Sequence, residues 1–346
     1  MTDEAAARVA SHRLRARWLV VALAMLALAM AAGMLFGAKS LPPSDVLRSL
    51  VGSSSHGKQP LDAVIVRSIR LPRVLLAGLV GGVLALAGAA YQGVFANPLA
   101  DPYLLGAASG AEVGATIAIA YAPAAWSVNS VPVAAFLGSI AAVAAAVVLG
   151  RSVRAGRSTT VLILAGVAIA AFLTAVETYV QQQHQAAIRL IYSFILGRLG
   201  TAGWSGLKLV LPYALVAAIV ILLHRRHLDV LSLGDDEAAS LGIRVSRVRL
   251  ILVAAATLAT AAAVAIAGTI AFVGIIVPHT IRLITGGSYR TILPLSIIVG
   301  AAFLILADLV ARTAVAPAEL PIGVITALIG APFFVVLLRR SRVVAQ

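Results

Sequence analysis

Residues 250–284 read LILVAAATLATAAAVAIAGTIAFVGIIVPHTIRLI, an apolar run whose one formal charge is Arg282. A helical crossing of a bilayer needs about 20 residues, so the run is much too long for one span. It holds Gly268, Gly274 and Pro278, and a break near Gly268 divides it into spans near 250–269 and 271–285. Outward from it, further runs fall near 18–37, 74–95, 103–122, 131–149, 159–180, 207–224, 293–313 and 322–338. The composition agrees: the 346 residues are 61% hydrophobic and 12% charged, with a mean hydropathy of +1.02. A soluble domain is about 45–50% apolar. Backbone polar groups cannot go unpaired in hydrocarbon, and the runs lack the roughly ten-residue alternation of barrel strands. The expected fold class is therefore all-α, a polytopic membrane protein with about ten transmembrane helices in a single domain, 1–346.

The net charge of +14 comes from 27 Lys and Arg against 13 Asp and Glu, gathered mostly at the ends of the apolar runs. That placement argues for membrane lipid as the surrounding and against nucleic acid as a partner. With the N-terminus inside, 17 of the 27 basic residues fall on the inner side and 10 on the outer, as the positive-inside rule asks. Nine spans would put Arg339, Arg340 and Arg342 outside, so ten are expected, with both termini cytoplasmic. A short tail, 1–17, carries Arg8, Arg13, Arg15 and Arg17 ahead of a run too long for a typical signal-peptide core, so that run reads as a retained first span. The first outer segment breaks the rule with Lys39, Arg48, Lys58, Arg67, Arg70 and Arg73. Snorkelling would account for any one of them. Arg67, Arg70 and Arg73 at helical spacing could instead present a basic patch to an acidic partner. Residues 41–47 suggest a short outer helix capped by Ser44.

Residues 231–243, LSLGDDEAASLGI, form a polar island in the inner loop of about 225–249. Ser232, three residues before Asp235, reads as an N-cap. Asp235, Asp236 and Glu237 put negative charge on the helix N-terminus, and Gly242 can end the helix in a left-handed turn. Such a structured helix suits a surface that a soluble protein grips, with Leu233 and Leu241 as its apolar contacts. The fifth span is the most polar, with Thr174, Glu177, Thr178, Gln181 and Gln185 at helical spacing and His184 nearby. A carboxylate facing lipid is costly, so Glu177 should face protein or a water-filled path; interhelical hydrogen bonding is the plainer role for this face. Gly106, Gly110 and Gly114, and Gly78 with Gly82, read as positions of close helix approach. Asp308 and Arg312 stand at i, i+4 and can pair. His279 reads as a packing or turn residue, and Glu112 has no assigned role.

The stretch 33–40, GMLFGAKS, lacks the consecutive Gly-Lys-Ser/Thr of a phosphate-binding loop. No zincin, kinase or dinucleotide signature appears, so no catalytic residues are expected. With no cysteine, disulfides and thiolate metal sites are excluded. If transport is powered, the power comes from elsewhere.

A family resemblance rests on Arg70-Leu71-Pro72-Arg73, on 91–102 (YQGVFANPLADP) with Leu105-Gly106, and on 233–238 (LGDDEA) with Leu241-Gly242. It continues through 272–279 (FVGIIVPH) with Arg282, Leu306-Ala307-Asp308 with Arg312, 319–323 (ELPIG) and 330–334 (GAPFF). In this order, over nearly the whole chain, the sequence resembles FecCD-type permeases, the membrane subunits of ABC importers for iron-siderophore complexes, haem and cobalamin. The resemblance implies a type II ABC importer permease fold in the bacterial cytoplasmic membrane. A second permease copy, two ABC ATPase subunits and a soluble or lipid-anchored substrate-binding protein would be its partners. It implies no cofactor on this chain, ATP and Mg belonging to the ATPase. Leu233, Gly234, Asp235, Asp236, Glu237, Ala238, Leu241 and Gly242 match the coupling helix that sits in the ATPase. Arg70, Arg73 and Arg312 match outer arginines that meet glutamates of the binding protein, Arg70 being favoured over Arg73. The fifth span would line the pathway at the dimer interface. An iron-siderophore is the first choice of substrate, with haem and cobalamin as alternatives. From other classes, an ion-coupled secondary transporter would use Glu177 or Asp308 as its proton site and need no ATPase, and a scaffold would tolerate a blocked 174–185 face.

Overall fold

The chain breaks where the long apolar run requires it. Helix Val245–Ala267 stops at Gly268, whose φ of +70° lies in a region that L side chains rarely adopt, and helix Val273–Thr285 follows. In the computed structural model, which describes residues 16–37, 39, 41–51, 61–121, 130–152, 159–200 and 202–344, every expected span coincides with a helix. In chain order these are α1 (Ala16–Leu35), α2 (Pro43–Val51), α3 (Leu61–Val64), α4 (Leu71–Val94), α5 (Ala107–Tyr121), α6 (Ser130–Ser152), α7 (Thr159–Gln183), α8 (Ile188–Ile195) and α9 (Gly203–Leu223). They continue as α10 (Arg225–Leu231), α11 (Asp235–Ser240), α12 (Val245–Ala267), α13 (Val273–Thr285), α14 (Tyr289–Thr313) and α15 (Ile322–Val344). Among the described residues, seven helical segments are long and apolar enough to cross a membrane. Of the other three expected spans, α13 and the stretch Ile322–Leu337 of α15 are shorter apolar helices, and α5 has only 15 residues. Arg8, Arg13, Arg15, Lys58, Arg154 and Arg157 lie outside the described residues.

Helix α4 is the axis of the bundle. It packs against α14, α12, α13 and α9, and most of its side chains are buried. Lipid tails are as apolar as leucine, so helices associate in a bilayer through close packing rather than through escape from water. Small residues provide that closeness. A Cβ on Gly81 would stand 2.3 Å from the Gly300 carbonyl oxygen, and one on Gly110 would stand 2.3 Å from that of Gly138. Gly78, Gly82 and Gly114 likewise face neighbouring helices. Gly106 departs from the expected glycine stripe: at φ +81° it ends a short 3-10 turn, Pro102–Leu105, ahead of α5.

Two further expectations are corrected. The span near 103–122 starts only at Ala107, because residues 102–105 form a separate 3-10 turn that Gly106, in the left-handed region, divides from the α-helix. That segment is tolerated because it packs on protein: Pro102 lies against Gly274, Leu104 against Gly166, and Tyr103 donates its hydroxyl to the Ile270 carbonyl at 3.0 Å. The short helix near residue 41 exists as α2, but Ser44 lies inside it rather than at its cap, and its hydroxyl turns to Asp45 at 3.4 Å.

Peripheral α7 is the contrast to α4. Only 17% of its apolar window is buried, leaving Leu164, Val167, Phe172 and Tyr179 exposed. Such a face needs lipid or another protein against it.

Candidate functional site

At one end of the bundle the polar island is a built object. Helix α11 is only six residues long, yet both of its ends are fixed. Gly234, at φ +122°, begins it. At its C-terminus the Ile243 N–H donates to Ala238 at 3.1 Å and the Gly242 N–H to Ala239 at 2.9 Å, with Gly242 at φ +81°. That pair of bonds is the Schellman arrangement, so Gly242 ends the helix as its sequence position requires. Ser232 does not cap it. Its hydroxyl turns back to the Asp229 carbonyl at 2.7 Å, because the preceding α10 ends there and claims it. Ala238 is fully buried, and Asp235 pairs with Arg249 of α12 at 2.7 Å. Leu233 and Leu241, which flank α11, are 63% and 64% exposed, and Asp236 and Glu237 are exposed beside them. The short helix is thus pinned at its base and presents two bare leucines on its outer side.

The island is tied to the bundle through Asp229, which the sequence alone left without a role. Its carboxylate accepts the Tyr289 N–H at 2.6 Å and lies 3.4 Å from both the Ser288 hydroxyl and the Arg290 guanidinium. The first residues of α14 thus take their cap from α10, since the N-cap residue Ser288 makes no side-chain cap bond of its own. Next to this cap, Arg282 donates to the Tyr289 hydroxyl at 2.9 Å and to Gln92 at 3.4 Å, and Gln92 donates to the Gly274 carbonyl at 3.2 Å. A chain of named bonds thus links α10 to α14, α13 and α4. Asp229→Ala should lower stability by about 1–2 kcal/mol, the usual cost of losing a cap, read as a lower melting temperature in detergent. His279 packs near Phe333 with its ring buried, which agrees with a packing residue.

The polar face of α7 splits in two. Glu177 is buried against α5, where it accepts from Thr116 at 3.3 Å and from Gln181 of its own helix at 2.9 Å. Thr174 and Thr178 are exposed, the Thr178 hydroxyl bonding back to the Thr174 carbonyl at 2.8 Å. Gln185 lies beyond the end of α7 in a 3-10 turn and so leaves the face on which its spacing put it. Thr174 also lines an open recess of about 490 Å³ with Asp101, Tyr103 and Val167. Asp101 and Tyr103 meet Thr174 here although residues so far apart in sequence give no local signal of their meeting. Glu112 accepts from Thr269 at 2.7 Å.

At the opposite end the three singled-out arginines converge but are not displayed. A π-helical stretch, Ile65–Arg70, precedes α4 and its Arg70 is buried, donating to the Met34 carbonyl at 2.7 Å, to the Leu35 carbonyl at 2.9 Å and to Lys39. It satisfies the C-terminus of α1. Arg67 donates to the Ser49 carbonyl, so the basic patch expected of Arg67, Arg70 and Arg73 is absorbed by backbone acceptors and carboxylates. Arg73 is held in a double fork: Asp308 accepts from its Nε and Nη2 at 2.9–3.0 Å, and Glu319 from its Nη1 and Nη2 at 2.8 and 3.0 Å. Arg312 donates to the Gly33 carbonyl at 2.6 Å and lies 3.6 Å from Asp308, the expected i, i+4 pair. The Arg73 fork holds the Glu319 carboxyl below the usual carboxylate range.

The comparisons with known proteins fit this architecture. The FecCD transport family profile matches residues 23–340. The cobalamin import system permease protein BtuC of Halobacterium salinarum is 44% identical over 282 residues, covering 81% of this chain and 74% of that protein. The hemin transport system permease protein HmuU of Yersinia pestis is 41% identical over 281 residues, covering 80% and 83%. A solved inward-facing structure of a metal-chelate type ABC transporter superposes with a TM-score of 0.83 at 29% identity, covering 94% of this chain and 100% of that one. On these grounds the chain belongs to the FecCD transport family.

Proposed function

We propose that this chain is the membrane-spanning permease subunit of an ATP-driven importer of an iron chelate, an iron-siderophore first, with haem and cobalamin as the alternatives that its relatives carry. The observation that carries the reading is α11: a pinned helix with two exposed leucines is suited to the groove of a separate ATPase. The α11 end is then cytoplasmic, in keeping with the positive-inside rule. Two copies of the chain meet along α7, whose little-buried apolar surface and exposed Thr174 and Thr178 suit an interface that borders a wet path. The bonds through Asp229, Arg282 and Gln92 support rigid-body rocking of α4, α13 and α14 when the ATPase moves α11. The opposite end, rich in arginine, receives the substrate-binding protein.

The test is reconstitution in liposomes of this chain, its ATPase and its binding protein. Iron-siderophore uptake is expected to require ATP and all three components. Uptake that persists without the ATPase, driven by an ion gradient, would overturn the reading.

A further inference from the structure

The double fork on Arg73 is asymmetric. Asp308 sits on α14 with its side chain 2% exposed, and it cannot leave without carrying a buried charge with it. Glu319 sits on the segment joining α14 to α15, and its side chain is 51% exposed. Beside this fork lies a cavity of about 380 Å³ lined by Arg73, Ser193, Arg198, Asp308, Glu319 and Pro321. Arg198 is exposed and donates to the Ser193 hydroxyl at 2.7 Å. Arg73 and Arg198 line the cavity with Asp308 and Glu319, and Arg312 stands behind Asp308 at 3.6 Å, so three cations face two carboxylates even with Glu319 in place. The buried Nε of Arg312 faces Asp308 at 3.6 Å, an ion pair too long for a hydrogen bond.

We propose that Glu319 is a built-in stand-in for a carboxylate of the soluble docking partner: the partner's acidic side chain enters this cavity, takes the Glu319 side of the Arg73 guanidinium, and releases the 314–321 loop. The inference rests on the docking reading above and adds its regulation. The exchange replaces one bidentate arginine–carboxylate pair by another, so it costs little in energy, and the excess of arginine favours the arrival of a further carboxylate. Arg198 at the cavity wall gives the displaced Glu319 a second cation to face. A partner lacking the carboxylate leaves the latch closed, which turns a sticky basic pocket into a selective one.

The experiment uses the permease–ATPase complex in nanodiscs and its purified binding protein. Glu319→Gln should dock the binding protein about three- to tenfold more tightly, the scale of an exposed ion pair removed from competition. The concentration for half-maximal ATPase stimulation should fall in step. Arg198→Glu, an exposed change, should weaken docking. Because the chain has no cysteine, a spin label attached to Ala318→Cys of the purified permease before assembly reports the loop alone, and its mobility should rise when the binding protein is added. Unchanged or weaker docking by Glu319→Gln, or a label that stays immobile in the docked complex, overturns the latch. If Arg198→Glu also docks normally, the docking surface itself lies elsewhere. Substrate alone mobilising the label would mean that the carboxylate comes from the chelate, which likewise overturns the proposal.

Discussion

Replacing Leu233 and Leu241 together by Ser is expected to cut ATP-driven uptake more than tenfold while leaving the permease folded. Both side chains are mostly exposed in the isolated chain, so their loss removes little from its own packing. In a complex with the ATPase they would be buried. Fully burying a leucine contributes about 1.5–3 kcal/mol, and each is already about a third buried, so the pair supplies roughly 2–4 kcal/mol to the contact, about two decades of affinity at the midpoint. The base of α11 remains intact in the variant, since Ala238, Gly242 and the Asp235–Arg249 pair are untouched. Co-purification of the ATPase should fail or fall sharply, with the melting temperature of the permease within about 2 °C of the parent's. Normal uptake and normal co-purification would mean that α11 is not the surface through which work is received.

The helices were legible because each span announces itself as a continuous apolar run and because hydrocarbon leaves the backbone few options. Gly268 and Gly242 were legible for a related reason, as each stands where a helix must end. Caps were less so. Ser232 and Ser44 have the right chemistry, but Ser232 is claimed by the end of α10 and Ser44 is overtaken by a helix that begins at Pro43. The 174–185 face was half legible, since periodicity tells which residues share a side while a helix continues, and α7 stops at Gln183. Least visible were the long-range pairs. Nothing local tells Arg73 that Asp308 and Glu319, more than 230 positions away, will close on it, or Asp229 that it will cap a helix starting at Tyr289. An acid in the outer loop before α15, on the same side as the six basic residues of the first outer segment, was a hint of Glu319.

Gly88→Val should abolish accumulation of folded permease. A Cβ there would stand 2.0 Å from the Gly274 carbonyl oxygen, 2.4 Å from its Cα and 2.5 Å from its carbonyl carbon. All three are backbone atoms, so no rotamer change relieves the overlap, and α4 and α13 must separate instead. Separation strips contacts from both sides, because Gly274 also meets Pro102 and the Leu84 carbonyl at the same junction. It breaks the bond from Gln92 to the Gly274 carbonyl as well, leaving buried polar groups unpaired in a medium without water. The summed loss is expected to exceed about 4 kcal/mol, against a total stability on the order of 5–15 kcal/mol. Size-exclusion profiles of a fluorescent fusion should show an aggregated or absent peak. Gly287→Ala, where an added Cβ meets nothing within 4 Å, serves as the control and should elute like the parent. A monodisperse Gly88→Val protein with an unchanged melting temperature would show that α4 and α13 do not touch in this way. The link from α11 through Arg282 and Gln92 to α4 would then lose its physical basis, since it depends on that contact.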